Sequence, residues 1–219
     1  MIFETAHQEK RYYERAATEE EFLEWYHKQD LGTYEKPSVT VDNLIFGWDG
    51  QLKLLFIQRK SHPCINQYAF PGGFVKKEES PDESAIREAS EETGLELELR
   101  HMKQFKTIGT PNRDPRTWII TIAYLVFLPT MEGIALQAGG DAQDAKWLTV
   151  QVNPDGSLLL QEGSVNIPPT QLAFDHREIL EAAMKQIKGN FQKADGIQQI
   201  LGSSPSQSQT NQLAKMLSI

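Results

Sequence analysis

The sequence has little cysteine, no excess of basic residues and no long apolar run. Cys64 is the only cysteine among 219 residues, so an intrachain disulfide is excluded and a reducing compartment is expected. The net charge of −8 disfavours non-specific nucleic-acid binding, which uses a basic surface. No stretch approaches membrane-spanning length, and the N-terminal segment lacks the apolar run of a signal peptide. We therefore expect a cytoplasmic protein without a membrane partner.

What the sequence does have is a dense group of carboxylates in the stretch GFVKKEESPDESAIREASEETGL, which begins at Gly73. Ser80, Pro81 and Glu83 have the spacing of a capped helix start with proline in the first turn. Gly94 suits the left-handed residue that ends many helices. The stretch between these signals is therefore predicted to be a helix.

Three glutamates of this predicted helix, Glu88, Glu91 and Glu92, lie at positions i, i+3 and i+4. This spacing puts them on one face, with Cβ atoms about 5–6 Å apart, where like charges repel. The pattern indicates either a solvated acidic face or a set of oxygen ligands for a hard divalent cation. We favour the cation. Arg87 lies among the carboxylates as a charge-assisted partner, and Glu79 precedes the helix.

The same stretch resembles the Nudix box, in which conserved glycine, glutamate and arginine positions follow a fixed spacing. Only Ala89 departs from it, being smaller than the usual aliphatic residue. The resemblance implies an enzyme that hydrolyses a nucleoside diphosphate linked to another moiety, using Mg²⁺ or Mn²⁺. It also implies an α/β fold, the Nudix α/β/α sandwich around a mixed β-sheet, which the order of predicted strands and helices supports. The residues in register are Gly73, Glu79, Arg87, Glu88, Glu91, Glu92, Gly94 and Leu95.

Within this resemblance the box residues receive expected roles. Glu88 and Glu92 are predicted metal ligands, and Glu91 is either a third ligand or the group that orients the attacking water. Arg87 is a predicted positioning residue. The box glutamates thus account for the metal.

The general base is left open between two places in the chain. Glu79 is one candidate, as a base or as a further ligand. In related ADP-ribose enzymes the base comes instead from an acidic loop before the last strand, so Asp141 and Asp144 are alternatives. A base must lie within hydrogen-bond reach of the attacking water, which a sequence does not reveal.

Three arginines are candidates for binding the phosphates. Arg113 and Arg116 lie in a loop stiffened by two prolines, and a guanidinium fork matches the paired oxygens of a phosphate. A surface loop with paired charges is the alternative. Arg59 is the third candidate. The adenine implied by the resemblance is expected in an aromatic pocket, from the N-terminal helix or from Tyr34 and Phe46.

Three further segments indicate which branch of the Nudix family the chain resembles. They are residues 34–42, Arg-Asp-Pro-Arg at 113–116 and Phe-Asp-His at 174–176. They look like a branch containing ADP-ribose pyrophosphatases and Nudix-related regulators of NAD metabolism, which bind DNA through a C-terminal winged helix. The intact box and the weakly basic segment 190–219 favour the enzyme, with ADP-ribose cleaved to AMP and ribose 5-phosphate. The alternatives are an ADP-ribose-sensing transcriptional regulator, whose DNA-binding domain is absent or truncated, and an idle ligand-binding module.

We predict three parts of the chain and several elements within them. The parts are an N-terminal helical extension at 1–36, a Nudix hydrolase domain at 37–188, and a C-terminal tail at 189–219 that is weakly ordered or forms short helices. The aromatic N-terminal segment suits a homodimer interface, and a nucleic-acid partner is not expected. The predicted strands are 38–46, 52–58, 95–99, 117–128 and 145–150, with a loop at 151–170 and a last helix from 173 to 188.

Overall fold

The chain divides into two compact units, Met1–Lys36 and Pro37–Ile219. The structure is a computed structural model, and it describes residues 5–29, 35–128, 130–191 and 194–218. Among the helices of these residues, none is both long and apolar enough to cross a membrane.

The first unit contains two helices, α1 (Ala6–Arg15) and α2 (Glu19–Lys28). Thr18 caps α2, because its side chain accepts a hydrogen bond from the backbone N–H of Glu21 and the Glu21 side chain caps Thr18 in return. The helical character predicted for the N-terminal segment is thus present in both of these helices. Tyr13 of α1 and Trp25 of α2 stack with ring centroids 5.0 Å apart, which joins the two helices.

The second unit is built around one mixed sheet, to which the described residues contribute nine strands. The strands are β1 (Ser38–Trp48), β2 (Leu52–Arg59), β3 (Tyr68–Ala69), β4 (Gly72–Phe74), β5 (Met102–Ile108), β6 (Ile119–Phe127), β7 (Ala142–Val152), β8 (Leu158–Glu162) and β9 (Val165–Ile167). The helices are α3 (Pro81–Thr93), α4 (His176–Asn190), α5 (Ala194–Leu201) and α6 (Gln207–Met216), with short 3-10 turns at Leu99–His101 and Pro169–Gln171.

Strand β1 is the centre of the sheet. It pairs in parallel with β6 and antiparallel with β2, and its first half also pairs antiparallel with β4. The order across the sheet is β5-β6-β1-β2-β7-β8-β9, with β3 beside β2. The register puts Asp42 of β1 opposite Gly72 of β4. This pairing places the middle of β1 next to the start of the glutamate-rich stretch.

Helices cover both faces of the sheet. Alternate residues of β1 point to opposite faces, so Leu44 and Phe46 pack on one side and Ile45 on the other. The Ile45 side belongs to the core that includes α3, whereas the Leu44 side belongs to the core formed with α4, α5 and α6. The predicted α/β/α sandwich around a mixed sheet is confirmed.

The strand predicted at 95–99 is wrong. Leu95 and Leu97 are buried, as their alternation with charged residues indicated, but Leu99 is 54% exposed and opens a 3-10 turn. In the described part of the chain residues 94–98 belong to no strand, and the strand that pairs with β6 is β5, which follows them. Alternation thus indicated the burial of two of the three leucines, but it does not distinguish a strand from a loop.

The loop predicted at 151–170 is also wrong in part, because β8 and β9 form a hairpin there. Strand β8 pairs antiparallel with β7, and Leu160 is fully buried between its neighbours. The turn between β8 and β9 uses Gly163 at a φ of 58°. The glycines and prolines that suggested a loop therefore mark the turns on either side of two short strands.

The C-terminal residues form a pair of helices that complete the core. Helices α5 and α6 follow α4, and Leu213 and Leu217 are fully buried. The Leu52 backbone N–H lies 3.3 Å from the Met216 sulfur, so α6 reaches the start of β2. Of the two alternatives for this segment, the structure has the short helices.

We expect Leu213→Ala to lower the free energy of unfolding by about 2–5 kcal/mol, because it removes a fully buried side chain and leaves a cavity. Urea denaturation measures this change. Gln212→Ala on the same helix is the matched control, since Gln212 is exposed and its loss should cost less than about 0.5 kcal/mol. Equal stability of the two variants would show that α6 is not part of the core.

Candidate active site

The carboxylate-bearing helix α3 has the ends that its sequence predicts. Ser80 is the N-cap, because its side chain accepts a hydrogen bond from the Glu83 N–H and the Glu83 carboxylate accepts one from the Ser80 N–H. Gly94 ends the helix at a φ of 74°, a left-handed conformation that glycine adopts without strain. The predicted helix is confirmed, and its glutamates lie on one rigid element.

Arg87 is the cation around which three of the predicted carboxylates gather. Its guanidinium donates to both oxygens of Glu79, at 2.8 and 2.6 Å. It also donates to Glu88 at 2.7 Å and to Glu91 at 3.2 Å. The hydrogen bonds from Arg87 lower the pKa of Glu79 to about 2. A carboxylate with so low a pKa is a weak base at neutral pH.

Glu92 is the carboxylate that Arg87 does not bind. It is 3% exposed and accepts a hydrogen bond of 2.9 Å from the Gly72 N–H. Burial is the largest of the effects that raise the pKa of Glu92 to about 8, and the carboxylates of Glu88 and Asp141 act in the same direction. Burial also raises the pKa of Glu88, although Arg87 opposes this effect. Ionising Glu92, and to a smaller extent Glu88, is therefore unfavourable unless a cation compensates the charge.

Gly73, the first glycine of the box, has no room for a side chain. A Cβ atom at this position would lie 2.5 Å from Oε1 of Glu88, closer than atoms pack. The glycine therefore leaves the space that the Glu88 carboxylate occupies beside strand β4.

The chemistry of these donors suits a hard divalent cation. Mg²⁺ and Mn²⁺ prefer oxygen ligands, and Glu88 and Glu92 supply buried carboxylates whose charge lacks a full partner. The described residues contain no group of three ligand side chains already arranged around an ion. Glu88 and Glu91 each accept a hydrogen bond from Arg87 with one carboxylate oxygen, which leaves the other oxygen for a metal.

One cleft brings several of the predicted positive and negative groups together. Its lining includes Glu92, Asp141 and all three predicted phosphate-binding arginines, Arg59, Arg113 and Arg116. These side chains come from β2, from the loop between β5 and β6, from α3 and from the loop before β7. A carboxylate pair and three guanidinium groups thus face one cleft.

Other predicted site residues do not line this cleft. Its lining does not include Glu79, Arg87 or Glu88, which contact one another beside it, and the Glu91 side chain is 50% exposed beside Arg87. Asp144 lies in β7, where it pairs with Lys146 at 3.3 Å. Of the two aspartates predicted as alternative bases, Asp141 therefore reaches the cleft and Asp144 does not.

Arg113 lines the cleft but is occupied by protein partners. Its side chain is 5% exposed, and it donates to both oxygens of Asp175 at 2.9 and 2.7 Å. A second carboxylate, Asp42, lies 3.7 Å away. The paired-charge alternative describes Arg113 better than the phosphate-binding prediction, because its guanidinium is buried and held by Asp175.

Asp42 is the buried centre of this part of the cleft. It accepts a hydrogen bond of 2.7 Å from the Thr121 hydroxyl, and its other oxygen lies 3.4 Å from Nε2 of His176. Burial would raise the pKa of Asp42, but His176, Thr121 and Arg113 together hold it below its ordinary value. The carboxylate therefore stays charged and ties β1, β6 and the start of α4 together.

Arg116 and Arg59 are freer than Arg113. The Arg116 side chain is 40% exposed and forms a bidentate ion pair with the buried Asp114, at 2.7 Å for the shortest contact. Arg59 donates from Nε to the Pro63 carbonyl at 2.9 Å. Both guanidinium groups also lie over the Phe174 ring. These two arginines keep N–H groups that can reach a ligand.

Sequence reasoning did not assign a role to Asp42, Phe174 or His176, although it used their segments to narrow the resemblance. His176 accepts a hydrogen bond of 3.0 Å from the Phe70 N–H, and its ring stacks on Phe70 with centroids 4.6 Å apart. Asp42, Arg113 and His176, one residue from each of these segments, meet in the part of the chain that the structure describes. The presence of all three segments in one sequence was the signal that could have pointed to these residues.

Of the residues named for the predicted adenine pocket, the structure excludes Phe46. Phe46 is fully buried in the core and stacks on Phe127, so it cannot contact a ligand. Tyr34 lies outside the described residues. The aromatic side chains that line the cleft are instead Phe70, Phe74 and Phe174.

Comparison with known proteins decides the family. Residues 36–171 match the NUDIX domain. The chain belongs to the NUDIX family. An ADP-ribose pyrophosphatase of Methanocaldococcus jannaschii is 34% identical over 165 residues, which cover 74% of this chain and 83% of that protein. The family and this relative identify the chain as a Nudix hydrolase, as its glutamate-rich stretch indicated.

A second relative and two solved structures are also similar to this chain. The ADPR responsive transcriptional repressor NtrR of Acinetobacter baylyi is 32% identical over 78% of this chain, which spans only 61% of the repressor. A MutT/nudix family protein from Enterococcus faecalis superimposes with a TM-score of 0.86 at 36% identity, covering 100% of this chain and 88% of its own. The NUDIX domain of Shewanella oneidensis NrtR, complexed with ADP ribose, superimposes with a TM-score of 0.58 at 28% identity. The match covers 78% of this chain and 99% of that domain.

The raised pKa of Glu92 predicts how the metal-free Nudix domain responds to pH. Glu92 titrates near its ordinary 4.5 when unfolded and near 8 when folded, so the folded state holds the proton longer. The free energy of unfolding should therefore fall as pH rises from about 5 to about 8. Glu92→Gln removes the group that causes this loss of stability. The free energy of unfolding of the variant should therefore exceed that of the native protein by a few kcal/mol at pH 8, and the difference should vanish near pH 4.5.

Urea denaturation in the presence of a chelator, at several pH values, measures this difference. Glu98→Gln is the control, because Glu98 is an exposed surface glutamate that pairs with Arg100. If the free energy of unfolding of the native protein and that of Glu92→Gln varied with pH in parallel, the interpretation of Glu92 as a buried, poorly compensated carboxylate would be wrong.

The two loop arginines should differ in their effect on stability. Arg113→Ala leaves Asp42 and Asp175 without their buried partner and should cost about 3–5 kcal/mol in the free energy of unfolding. Arg116→Ala removes a more exposed ion pair and should cost about 1 kcal/mol or less. Urea denaturation of both variants makes the comparison, and equal costs would refute the distinct role of Arg113.

Proposed function

We propose that this Nudix hydrolase cleaves ADP-ribose to AMP and ribose 5-phosphate and that it requires Mg²⁺ or Mn²⁺. The observation that carries the proposal is the single cleft in which Glu92 and Asp141 face Arg59 and Arg116. Carboxylates and guanidinium groups that line one cleft suit a diphosphate that must be held and cleaved. The pyrophosphatase relative and the ADP-ribose complex of a related domain support the choice of ligand.

The box residues would hold the metal and orient each other. Glu88 and Glu92 are the proposed ligands with Glu91 as a third, and the bound cation would neutralise charge that develops on the diphosphate oxygens. Arg87 keeps the carboxylates in place before the metal binds, since it contacts Glu88 and Glu91 directly. Glu79 orients Arg87 through its two hydrogen bonds, so we assign it a positioning role instead of that of the base.

Asp141 is the proposed general base. It lines the cleft beside Glu92, whereas Glu79 and Asp144 do not line it. A water molecule attacks one phosphorus atom and passes a proton to the Asp141 carboxylate. The bond from that phosphorus to the bridging oxygen breaks, and the leaving phosphate keeps the electron pair. Arg59 and Arg116 bind the phosphate oxygens through the N–H groups that their protein partners leave unused.

An ADP-ribose-binding regulator is the second candidate. The repressor relative favours it, and both candidates use the same ligand site. The enzyme is better supported because every charged position of the box is present. In addition, α6 packs into the core and bears Lys215 as its only basic residue, so it offers no basic recognition helix. Specific DNA binding by the chain is therefore not part of the proposal.

The cytoplasmic location and the homodimer stay predictions. The location rests on the single cysteine and the nucleotide ligand. The homodimer rests on the aromatic N-terminal unit, whose Leu23 and Tyr26 side chains are both 43% exposed.

A substrate panel with product identification tests the proposed function. ADP-ribose should give a higher kcat/KM than NADH, nucleoside triphosphates or diadenosine polyphosphates, with AMP and ribose 5-phosphate as products, and a chelator should abolish turnover. Glu92→Gln should lower kcat at least about a hundredfold with an unchanged circular dichroism spectrum, because it removes a main stabilising group. Glu98→Gln is the surface control. Faster turnover of NADH or a triphosphate would overturn the choice of substrate.

A further inference from the structure

Phe174 lies between two arginines of the cleft. The Cζ atom of Arg59 is 5.0 Å from the centre of its ring, and that of Arg116 is 5.6 Å away. Arg116 also lies 5.2 Å from the ring of Phe74. Arg59 ends strand β2 and Arg116 belongs to the loop before β6, so the two arginines come from separate parts of the chain. The Phe174 ring is the contact that they share.

We propose that Phe174 is a positioning residue that fixes Arg59 and Arg116 at the spacing needed to bind both phosphates of a diphosphate. This inference rests on the proposed function, because it assumes that these two arginines contact the phosphates. It adds a residue to which neither the glutamate-rich stretch nor the arginine loop points.

The attraction acts on both arginines at once. The face of an aromatic ring attracts a cation within about 6 Å of its centre, and both guanidinium groups lie inside this distance. Two cations in one cleft also repel each other, and a ring that contacts both offsets part of that repulsion. Without a shared partner, the two long side chains would separate in the free protein and lose conformational entropy on binding.

The other contacts of the two arginines leave donors for a ligand. Arg59 gives its Nε hydrogen to Pro63, and Arg116 gives its Nε and Nη2 hydrogens to Asp114. Within the described residues, the remaining guanidinium N–H groups of both side chains have no hydrogen-bond acceptor in the protein. Phe174 holds each arginine without using one of these groups, since a ring face accepts no strong hydrogen bond.

The backbone of Phe174 is itself strained. Its φ is 52°, in the left-handed region that residues with a Cβ avoid. Its neighbours hold it there, because the Ala173 N–H donates to the Tyr68 carbonyl at 2.8 Å and His176 stacks on Phe70. Strain that the surroundings impose is found preferentially at functional sites. Here the strained backbone directs the ring into the cleft.

A purely structural role is the alternative. Phe174 also packs against a small buried cluster that includes Ile57, Ala69 and Ala173. If this packing were its only role, losing the ring would lower stability without a specific effect on the two arginines.

Calorimetric measurement of the Kd for ADP tests the inference without requiring catalysis. Phe174→Leu keeps an apolar side chain but loses the aromatic face, and it should weaken ADP binding about tenfold, the effect of two cation–π contacts of about 0.5–1 kcal/mol each. Phe174→Tyr keeps the aromatic face and should restore the Kd to within about threefold. Phe105→Leu is the matched control, a partly buried phenylalanine of β5 outside the cleft lining, and should bind ADP as the native protein does.

A double-mutant cycle separates positioning from packing. In an Arg116→Ala background, Phe174→Leu should weaken ADP binding by only about threefold, because one of the two guanidinium groups is gone. A full tenfold loss in that background, or an unchanged Kd in Phe174→Leu alone, would overturn the inference. If the native protein binds ADP but does not cleave ADP-ribose, the proposed function fails and the cycle still decides the role of Phe174.

Discussion

The buried face of helix α3 carries more negative charge than its single arginine can balance, and the site is arranged around that excess. Arg87 binds Glu79, Glu88 and Glu91, whereas Glu92 has one backbone N–H from Gly72. A buried carboxylate in this position either takes up a proton or acquires a cation. The same imbalance that makes the metal-free helix unfavourable therefore makes it a receptor for a divalent ion.

In the part of the cleft around Asp42, in contrast, each buried charged group has a partner of opposite charge or a hydrogen-bond donor. Asp42 and Asp175 share Arg113, and Thr121 and His176 complete the contacts of Asp42. A buried network in which each member has a partner is rigid. The cleft thus combines a rigid wall, which gives the more exposed Arg116 a fixed base, with a glutamate face that changes its partners when a ligand arrives.

Local signals predicted the parts of this protein that local chemistry determines. The caps at Ser80 and Gly94 and the glutamate spacing of α3 are short-range patterns, and both the helix and the family followed from them. Pairing between distant strands is not local, so the segment 95–99 was assigned wrongly. The hairpin of β8 and β9 is local, but its flanking glycines and prolines suggested a loop. The ion pair of Arg113 was not predicted, because its partner Asp175 lies 62 residues further along the chain and no spacing rule connects the two.

The left-handed backbone of Phe174 is a cost that the fold accepts at one position. Glycine would relieve the strain at a φ of 52°, which is worth about 1–2 kcal/mol, but it would also remove the packing of the ring against Ile57, Ala69 and Ala173. The same replacement would remove the ring beside Arg59 and Arg116. Because strain relief and lost packing act in opposite directions, a screen that scores only melting temperature would miss the role of this side chain in the cationic part of the cleft.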